Sequence, residues 1–369
     1  MEFTVSTKPL KAALNLAIVG KNINRLHQKS TVVQLTMSTN DLRINTEASQ
    51  IKTEVTLKGS GDGNATIIVD AVILKNLVST LNANQVTIEF QQNQIIIHAG
   101  RSDFNIPKLV DTDEVSLDRP YLENISADSG DYVGTVDKAA WNFLANHQMF
   151  ALQAPGTAYP VYQNIWLGDN GDSLAGDFRE SLFAHSGKCG LGATCLINDS
   201  IVNLLCSVPD NSHLYRVEET YVIYNTEDSF DYRAEFSPKQ ENDENGNYRA
   251  DLLLQKLSID NAPTISIKVS DISTILGQIA LLSDREIVVS ISIEKDHITF
   301  KGRNINAVID AGGDIGEIKD KKFKISTLKK IIANLPDSSV KIAPAMNNGV
   351  NVGLVFVSGD LTVICAYSV

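Results

Sequence analysis

The sequence predicts an α+β fold of three similar domains, each a pair of β-α-β-β-β units. Two observations carry this: one strand-and-helix segment recurs six times, and after each recurrence the apolar pattern changes from helical to alternating. A third, the charge of the recurring helices, bears on function.

The recurring segment reads "FTVSTKPLKAALNLAIVG" (3–20), "IIVDAVILKNLVSTL" (67–81), "GTVDKAAWNFLANHQM" (134–149), "ATCLINDSIVNLLCSV" (193–208), "ISIKVSDISTILGQIALL" (265–282) and "KFKISTLKKIIANL" (322–335). Each begins as a β-rich run, passes a capping residue and continues as roughly three turns of amphipathic helix. Ser6, Asp70, Asp137, Asn198, Ser270 and Ser326 are the expected caps, so a unit occupies about 60 residues. In the last copy Leu328, Ile331, Ile332 and Leu335 form the apolar stripe.

Strands follow each helix. "VVQLTMSTNDLRINTEAS" (32–49) turns at Asn40-Asp41, and "QVTIEFQQNQIIIHAG" (85–100) alternates Val86, Ile88 and Phe90 before resuming at Ile95. "EIVVSISIEKDHITFKG" (286–302) and "GLVFVSGDLTVICAYSV" (353–369) repeat the pattern, the latter as a hairpin around Ser358-Gly359-Asp360. One such unit is too small to bury both its helix and its sheet, so units are expected to pair. Polar stretches at 110–132 and 237–263 fit the joints and place domains at 1–125, 126–255 and 256–369.

Composition excludes several classes. The 369 residues are 43% hydrophobic and 21% charged, ordinary for a globular chain. No apolar run approaches the ~20 residues of a membrane span, and "MEFTVSTKPLKAALN" lacks a signal-peptide layout, so a cytoplasmic protein is expected. Cys189, Cys195, Cys206 and Cys365 show neither disulfide nor metal spacing. There is no nucleotide-binding, hydrolase or zinc motif, so neither an enzyme nor a cofactor is expected. "GSGDGN" (59–64) lacks a lysine, and the pairs Asp111/Asp113 and Asp169/Asp172 lie in polar turns where solvated acids are the ordinary reading. "ENDENGN" lacks calcium-loop spacing.

The formal net charge is −12, yet the helix bodies after the expected caps (7–19, 71–81, 138–149, 200–208, 272–282, 327–335) contain no Asp or Glu. At the chain average of 44 acids in 369 residues, about eight would fall there. The same stretches carry Lys8, Lys11, Lys75, Lys138, Lys329 and Lys330, with Asn and Gln filling other polar positions. One such helix would be merely solvated; six equivalents point to one shared surface facing a polyanion. Lysines and amides in repeated positions suit a regular phosphate backbone, contacted without reading bases. The competing class is a β-rich repeat scaffold whose surface meets something other than DNA.

Several segments resemble the bacterial-type β sliding clamp, the ring that tethers a replicative DNA polymerase. They are "MEFTVSTKPLKAAL", "IIIHAGRSDFNIPKL" (95–109), "NYRADLL" (247–253), "IALLSDREIVVSISIEKDHITFKG" (279–302) and "FKISTLKKIIANL". In order, and inside a sixfold repeat, they extend the resemblance over the whole length. It implies a head-to-tail homodimer closed into a ring around duplex DNA, twelve helices lining the hole. Its implied partners are polymerase and clamp loader.

By position, the resemblance puts Phe104 and Ile106 at the dimer joint against Leu281 and Leu282. Locally, ordinary core packing remains the alternative for these four. Arg25 matches a DNA-facing arginine, and Tyr162 an aromatic beside a channel-side loop. The implied partner-peptide pocket is lined by Gly176, Leu182, Leu253, Val363, Cys365 and Tyr367. There the chain departs from the family pattern: "AGDFRESLFA" (175–184) replaces ATDGHRLA, and the end reads "VICAYSV". Divergence of this size would suit a clamp from a phage or an unusual lineage.

Overall fold

The computed structural model describes residues 1–19, 32–48, 50–109, 130–154, 160–177, 180–187, 189–226, 230–240, 242–243, 246–248, 250–257, 262–282, 288–302, 305–347 and 349–367. The chain divides into two compact units, Met1–Lys138 with Asp199–Pro238, and Ala139–Asn198 with Lys239–Val369.

In chain order the elements begin β1 (Glu2–Ser6), α1 (Thr7–Ala17), β2 (Val32–Met37), β3 (Asp41–Ala48), β4 (Ile51–Lys58), β5 (Ser60–Gly61), β6 (Ala65–Asp70), α2 (Ala71–Thr80), β7 (Gln85–Phe90), β8 (Gln94–Ala99) and β9 (Ser102–Pro107). They continue as β10 (Asp131–Thr135), α3 (Lys138–His147), β11 (Ile165–Leu167), β12 (Ser173–Asp177), β13 (Leu182–Ser186), β14 (Cys195–Ile197), α4 (Asp199–Ser207), β15 (His213–Val217), β16 (Thr220–Thr226) and β17 (Phe230–Phe236). After β18 (Asn242–Asp243), β19 (Gly246–Asn247) and α5 (Ala250–Leu257) come β20 (Ile265–Lys268), α6 (Val269–Leu281), β21 (Val288–Glu294), β22 (His297–Lys301) and β23 (Asn306–Asp310). The last are β24 (Gly312–Gly313), β25 (Ile318–Lys324), α7 (Ile325–Ala333), β26 (Ser339–Asn347), β27 (Val350–Ser358) and β28 (Leu361–Ala366). No described helix is long and apolar enough to cross a membrane.

The six expected helices are α1, α2, α3, α4, α6 and α7, and the fold class is α+β as predicted. Two caps fall elsewhere. The N-caps of α6 and α7 are Lys268 and Lys324, so Ser270 and Ser326 sit inside the first turn. Strands β20 and β25 run straight into these helices, and burying Ile325 at the first helical position outweighs a serine cap. Asp70 does cap α2, accepting from Ile73 N at 2.8 Å. Ser6 caps α1 by backbone position only.

The observed helix bounds also qualify the absence of acids. Asp199 opens α4 and Asp271 lies in the first turn of α6, where the helix dipole favours a carboxylate.

Unit 1 holds a five-stranded sheet, β5-β1-β7-β8-β9, and an eight-stranded sheet, β10-β15-β16-β17-β4-β3-β2-β6. The first two helices pack on each other, and α1 also packs on β3 and β4. Its stripe of Leu10, Ala13, Leu14 and Ala17 is fully buried, each leucine contributing roughly 1.5–3 kcal/mol. The eight-stranded sheet is continuous because β17 pairs antiparallel with β4, Tyr232 opposite Val55.

Unit 2 holds a nine-stranded sheet, β14-β11-β12-β13-β28-β27-β26-β20-β24, a four-stranded sheet, β23-β22-β21-β25, and the small β18-β19 pair. Its continuity comes from β13 pairing antiparallel with β28, Ala184 opposite Val363. The α6–α7 pair presents Ile272, Leu276, Leu328, Ile331 and Ile332 to the core.

Candidate nucleic-acid interface and partner site

The six lysines divide by what holds them. Lys8 and Lys329 are exposed and make no ion pair among the described residues. Lys138 pairs with Asp210 at 2.8 Å, and Lys330 with Glu180 at 3.4 Å. Asp210 is 82% exposed, so the first pair is weak and easily exchanged. Glu180 is less exposed and also accepts from Thr327 Oγ1 at 3.1 Å. Loops therefore return acids to two helices whose own sequences lack them. Lys11 and Lys75 are bonded instead to backbone carbonyls, at Leu81 (2.6 Å) and Ile18 (3.2 Å).

Two expected DNA contacts fare differently. Arg25 lies outside the described residues. Tyr162 is corrected: it is 4% exposed, inside an apolar cluster with its ring 4.6 Å from that of Tyr248. Burying the ring gains more than exposing it beside a loop, so it offers no contact surface.

At the expected joint, Leu281 and Leu282 are 86% and 53% exposed at the end of α6. Both are apolar side chains without a partner in their own unit's core. Phe104 is half-buried on β9, an open edge strand of the five-stranded sheet. Ile106 is corrected: it is 1% exposed, opposite Ile95, and belongs to the core of unit 1.

The expected pocket residues fall on two faces of one sheet. Leu182 pairs with Cys365 and Ala184 with Val363, and across the next ladder Cys365 meets Leu354 and Val363 meets Phe356. On this face Leu354 and Phe356 line a small apolar cavity with Ile272, Leu328 and Ile332. Leu182, Val363 and Cys365 are thus core residues beneath α6 and α7, a correction to their assignment as pocket lining. Tyr367 follows them: its ring meets Phe323 edge-on at 5.1 Å, with Lys321 Nζ 5.0 Å from the ring centre.

Gly176 and Leu253 belong to the opposite face. There Phe183 pairs with Gly176 and Ile364, and Ile364 with Val355. A Cβ on Gly176 would lie 2.5 Å from the Phe183 ring, so this close approach requires glycine. Helix α5 packs over β13, β26 and β28, and Leu253 joins Phe183, Ile364, Trp166, Leu174 and Tyr248 in one cluster. Tyr248 anchors the chain entering α5 by donating its hydroxyl to Leu174 O at 2.8 Å. Leu254, Val352 and Val357 form the partly buried margin.

Phe183, Ile364, Trp166 and Tyr248 are members of this cluster that sequence reading did not name. Period-two alternation separates Ile364 from Val363 and Cys365, but both sets are buried, so the pattern does not say which faces α5. The signal available for α5 was "ADLLLQKL" itself, an apolar stretch inside a segment expected to be a polar joint.

Burial pushes the Cys365 thiol up to about 12, with the Glu180 charge adding to it. The native protein is therefore expected to resist alkylation at Cys365 near neutral pH, with half-buried Cys206 labelling first. Peptide mass mapping after iodoacetamide treatment checks this; rapid native labelling of Cys365 would return it to an open pocket.

Among the described residues no cluster of His, Cys, Asp or Glu could hold a metal ion. Asp172 accepts from Asn170 Nδ2 and lies 3.0 Å from His185 Nε2. Asp111 and Asp113 lie outside the described residues.

Residues 1–116 match the family described as "DNA polymerase III beta subunit, N-terminal domain". No curated protein matches the chain. Among solved structures, it is similar to a putative DNA polymerase III beta subunit from Eubacterium rectale (TM-score 0.77, 13% identity, 100% of this chain and 99% of that one). It is also similar to the DNA polymerase III beta subunit from Thermotoga maritima (0.77, 11%, 100% and 99%). A third is the DNA polymerase sliding clamp from Bacillus subtilis (0.74, 16%, 100% and 99%). The chain therefore has the sliding-clamp fold along its full length.

Proposed function

We propose that the chain is half of a DNA sliding clamp, a head-to-tail homodimer that encircles duplex DNA and tethers a replicative polymerase. It acts without catalysis or a cofactor, and three clamp domains (1–125, 126–255 and 256–369) make up each half. The observation that carries this reading is the pairing rule inside each unit. In unit 1 the last strand of the middle third, β17, joins β4, the third strand after α1. In unit 2 the last strand of the final third, β28, joins β13, the third strand after α3. One strand of each kind remains open: β9 ends the first third, and β23 is the third strand after α6.

A second copy supplies the missing partner for each of these two edges, and repeating the rule at both joints closes a two-fold assembly. Phe104 on β9 and the exposed Leu281 and Leu282 supply the apolar contact that such a joint needs. The lysine-bearing helices then face the DNA backbone, binding it without sequence preference.

Partner peptides of the polymerase and clamp loader are assigned to the cluster under α5, entering at the margin of Leu254, Val352 and Val357. Retention on DNA of different topology tests encirclement. The protein is expected to stay on circular duplex through a high-salt wash and to be lost when one restriction cut linearises the circle. Equal retention on both forms would mean ordinary surface binding.

A further inference from the structure

Lys11 and Lys75 occupy the same position, the fifth residue, of α1 and α2. Lys11 Nζ donates to Leu81 O at 2.6 Å, and Leu81 is the C-cap of α2. Lys75 Nζ donates to Ile18 O at 3.2 Å, and Ile18 is the C-cap of α1. A helix C-terminus leaves carbonyls without intrahelical donors and carries about half a negative charge. Neither helix has a basic residue in its own last turn. Each lysine therefore supplies to the neighbouring helix the cation which that helix lacks.

Thr53 Oγ1 adds a bond of 2.8 Å to Ala17 O, so the end of α1 is held from two sides. In unit 2 a single contact of a related kind is made by another residue: His147, ending α3, lies with Nδ1 2.7 Å from the carbonyl of Asn334, the C-cap of α7. Superposing the buried stripes Leu74 and Val78 on Leu328 and Ile332 puts Lys329 where α2 has Lys75. That lysine is exposed and unpaired among the described residues.

We propose that Lys11 and Lys75 are positioning residues that lock the α1–α2 pair and mask its two negative ends, while Lys8 and Lys329 contact phosphate. This rests on the clamp reading above. A phosphate backbone passing two unmasked helix C-termini would be repelled, so the pair acts on DNA through the surface's sign and shape.

The test compares Lys11→Met/Lys75→Met with Lys8→Met/Lys329→Met, using intact protein, with affinity read on a short linear duplex and retention read on a nicked circular one. Each phosphate contact contributes about 0.9 to the slope of log affinity against log salt. The Lys8/Lys329 variant removes four lysines from the two-fold ring and is expected to lose roughly 3–4 from that slope with an unchanged melting temperature. The Lys11/Lys75 variant is expected to keep the wild-type slope, melt at least about 3 °C lower and bind several-fold more weakly at every salt concentration. Lys11→Arg/Lys75→Arg should restore both melting and affinity.

A slope loss in the Lys11/Lys75 variant would make those residues phosphate contacts and overturn the assignment. Lower melting with unchanged affinity, or no change in either, would overturn it as well. A wild-type protein that fails to hold the circle sinks the clamp reading instead. The assignment fails separately, when wild type holds DNA and the variants depart from this pattern.

Discussion

Phe104→Asp combined with Leu281→Asp is expected to convert an assembly of about 80 kDa into a folded monomer of 40.2 kDa. Leu281 is 86% exposed, so an acid there costs the isolated chain almost nothing. Phe104 is half-buried on an edge strand opposite buried Ile97, so an acid there costs unit 1 some stability, which the circular-dichroism check reads. In a closed joint the same carboxylates would lose water without gaining a partner, costing about 3–5 kcal/mol per unpaired charge. Both joints of a two-fold ring carry the change, so dissociation should be complete at micromolar protein. Sedimentation velocity reads the mass, and far-UV circular dichroism checks the fold. A double variant that sediments like the wild type would remove these residues from the joint. Ile106→Asp is the contrasting case: at 1% exposure it should unfold unit 1 rather than separate chains.

Leu254→Asp is expected to weaken binding of an apolar polymerase-tail peptide about ten- to a hundredfold, because one large anchor side chain buried there gains roughly 1.5–3 kcal/mol. Leu254 lies at the margin of the cluster under α5, so the change leaves the packed interior intact. Deleting the chain from Tyr367 onward should behave oppositely. The Tyr367 ring packs on Phe323, on the face of the sheet that α6 and α7 cover. Its loss should lower the melting temperature of unit 2 while peptide affinity, measured well below melting, stays the same. Isothermal titration with both variants separates the faces. A truncation that abolishes binding while Leu254→Asp spares it would move the site to the other side of the sheet.

Much of the fold was legible because local rules and burial agree there. The stripe Leu328, Ile331, Ile332 and Leu335 predicts α7, and all four are buried. The hairpin at Ser358-Gly359-Asp360 forms, with Gly359 at φ +54. Where two local rules competed, the sequence misled: serine capping favours Ser326, but burying Ile325 pulls the helix start forward. Helix α5 was missed because its apolar residues sit in a stretch whose average is polar.

The candidate sites were legible by residue type and much less by role. Lysine is written plainly at six helix positions, but nothing in the sequence says that the Lys11 and Lys75 ammonium groups end on carbonyls near Leu81 and Ile18, 70 and 57 residues away. Nor does it say that Asp210 and Glu180 come to meet Lys138 and Lys330.

By itself, then, the sequence determined the repeat, the six amphipathic helices and the exclusion of acids from most of their length. Those properties follow from periodicity and composition, which act over one or two turns and are written in consecutive residues. Only the tertiary structure decided which face of the β13–β28 joint lies under α5, which lysines are unpaired among the described residues, and that β9 and β23 are sheet edges. Each depends on which distant segment arrives beside a given side chain, and a hydrogen bond or an apolar contact changes free energy only when both partners are in place.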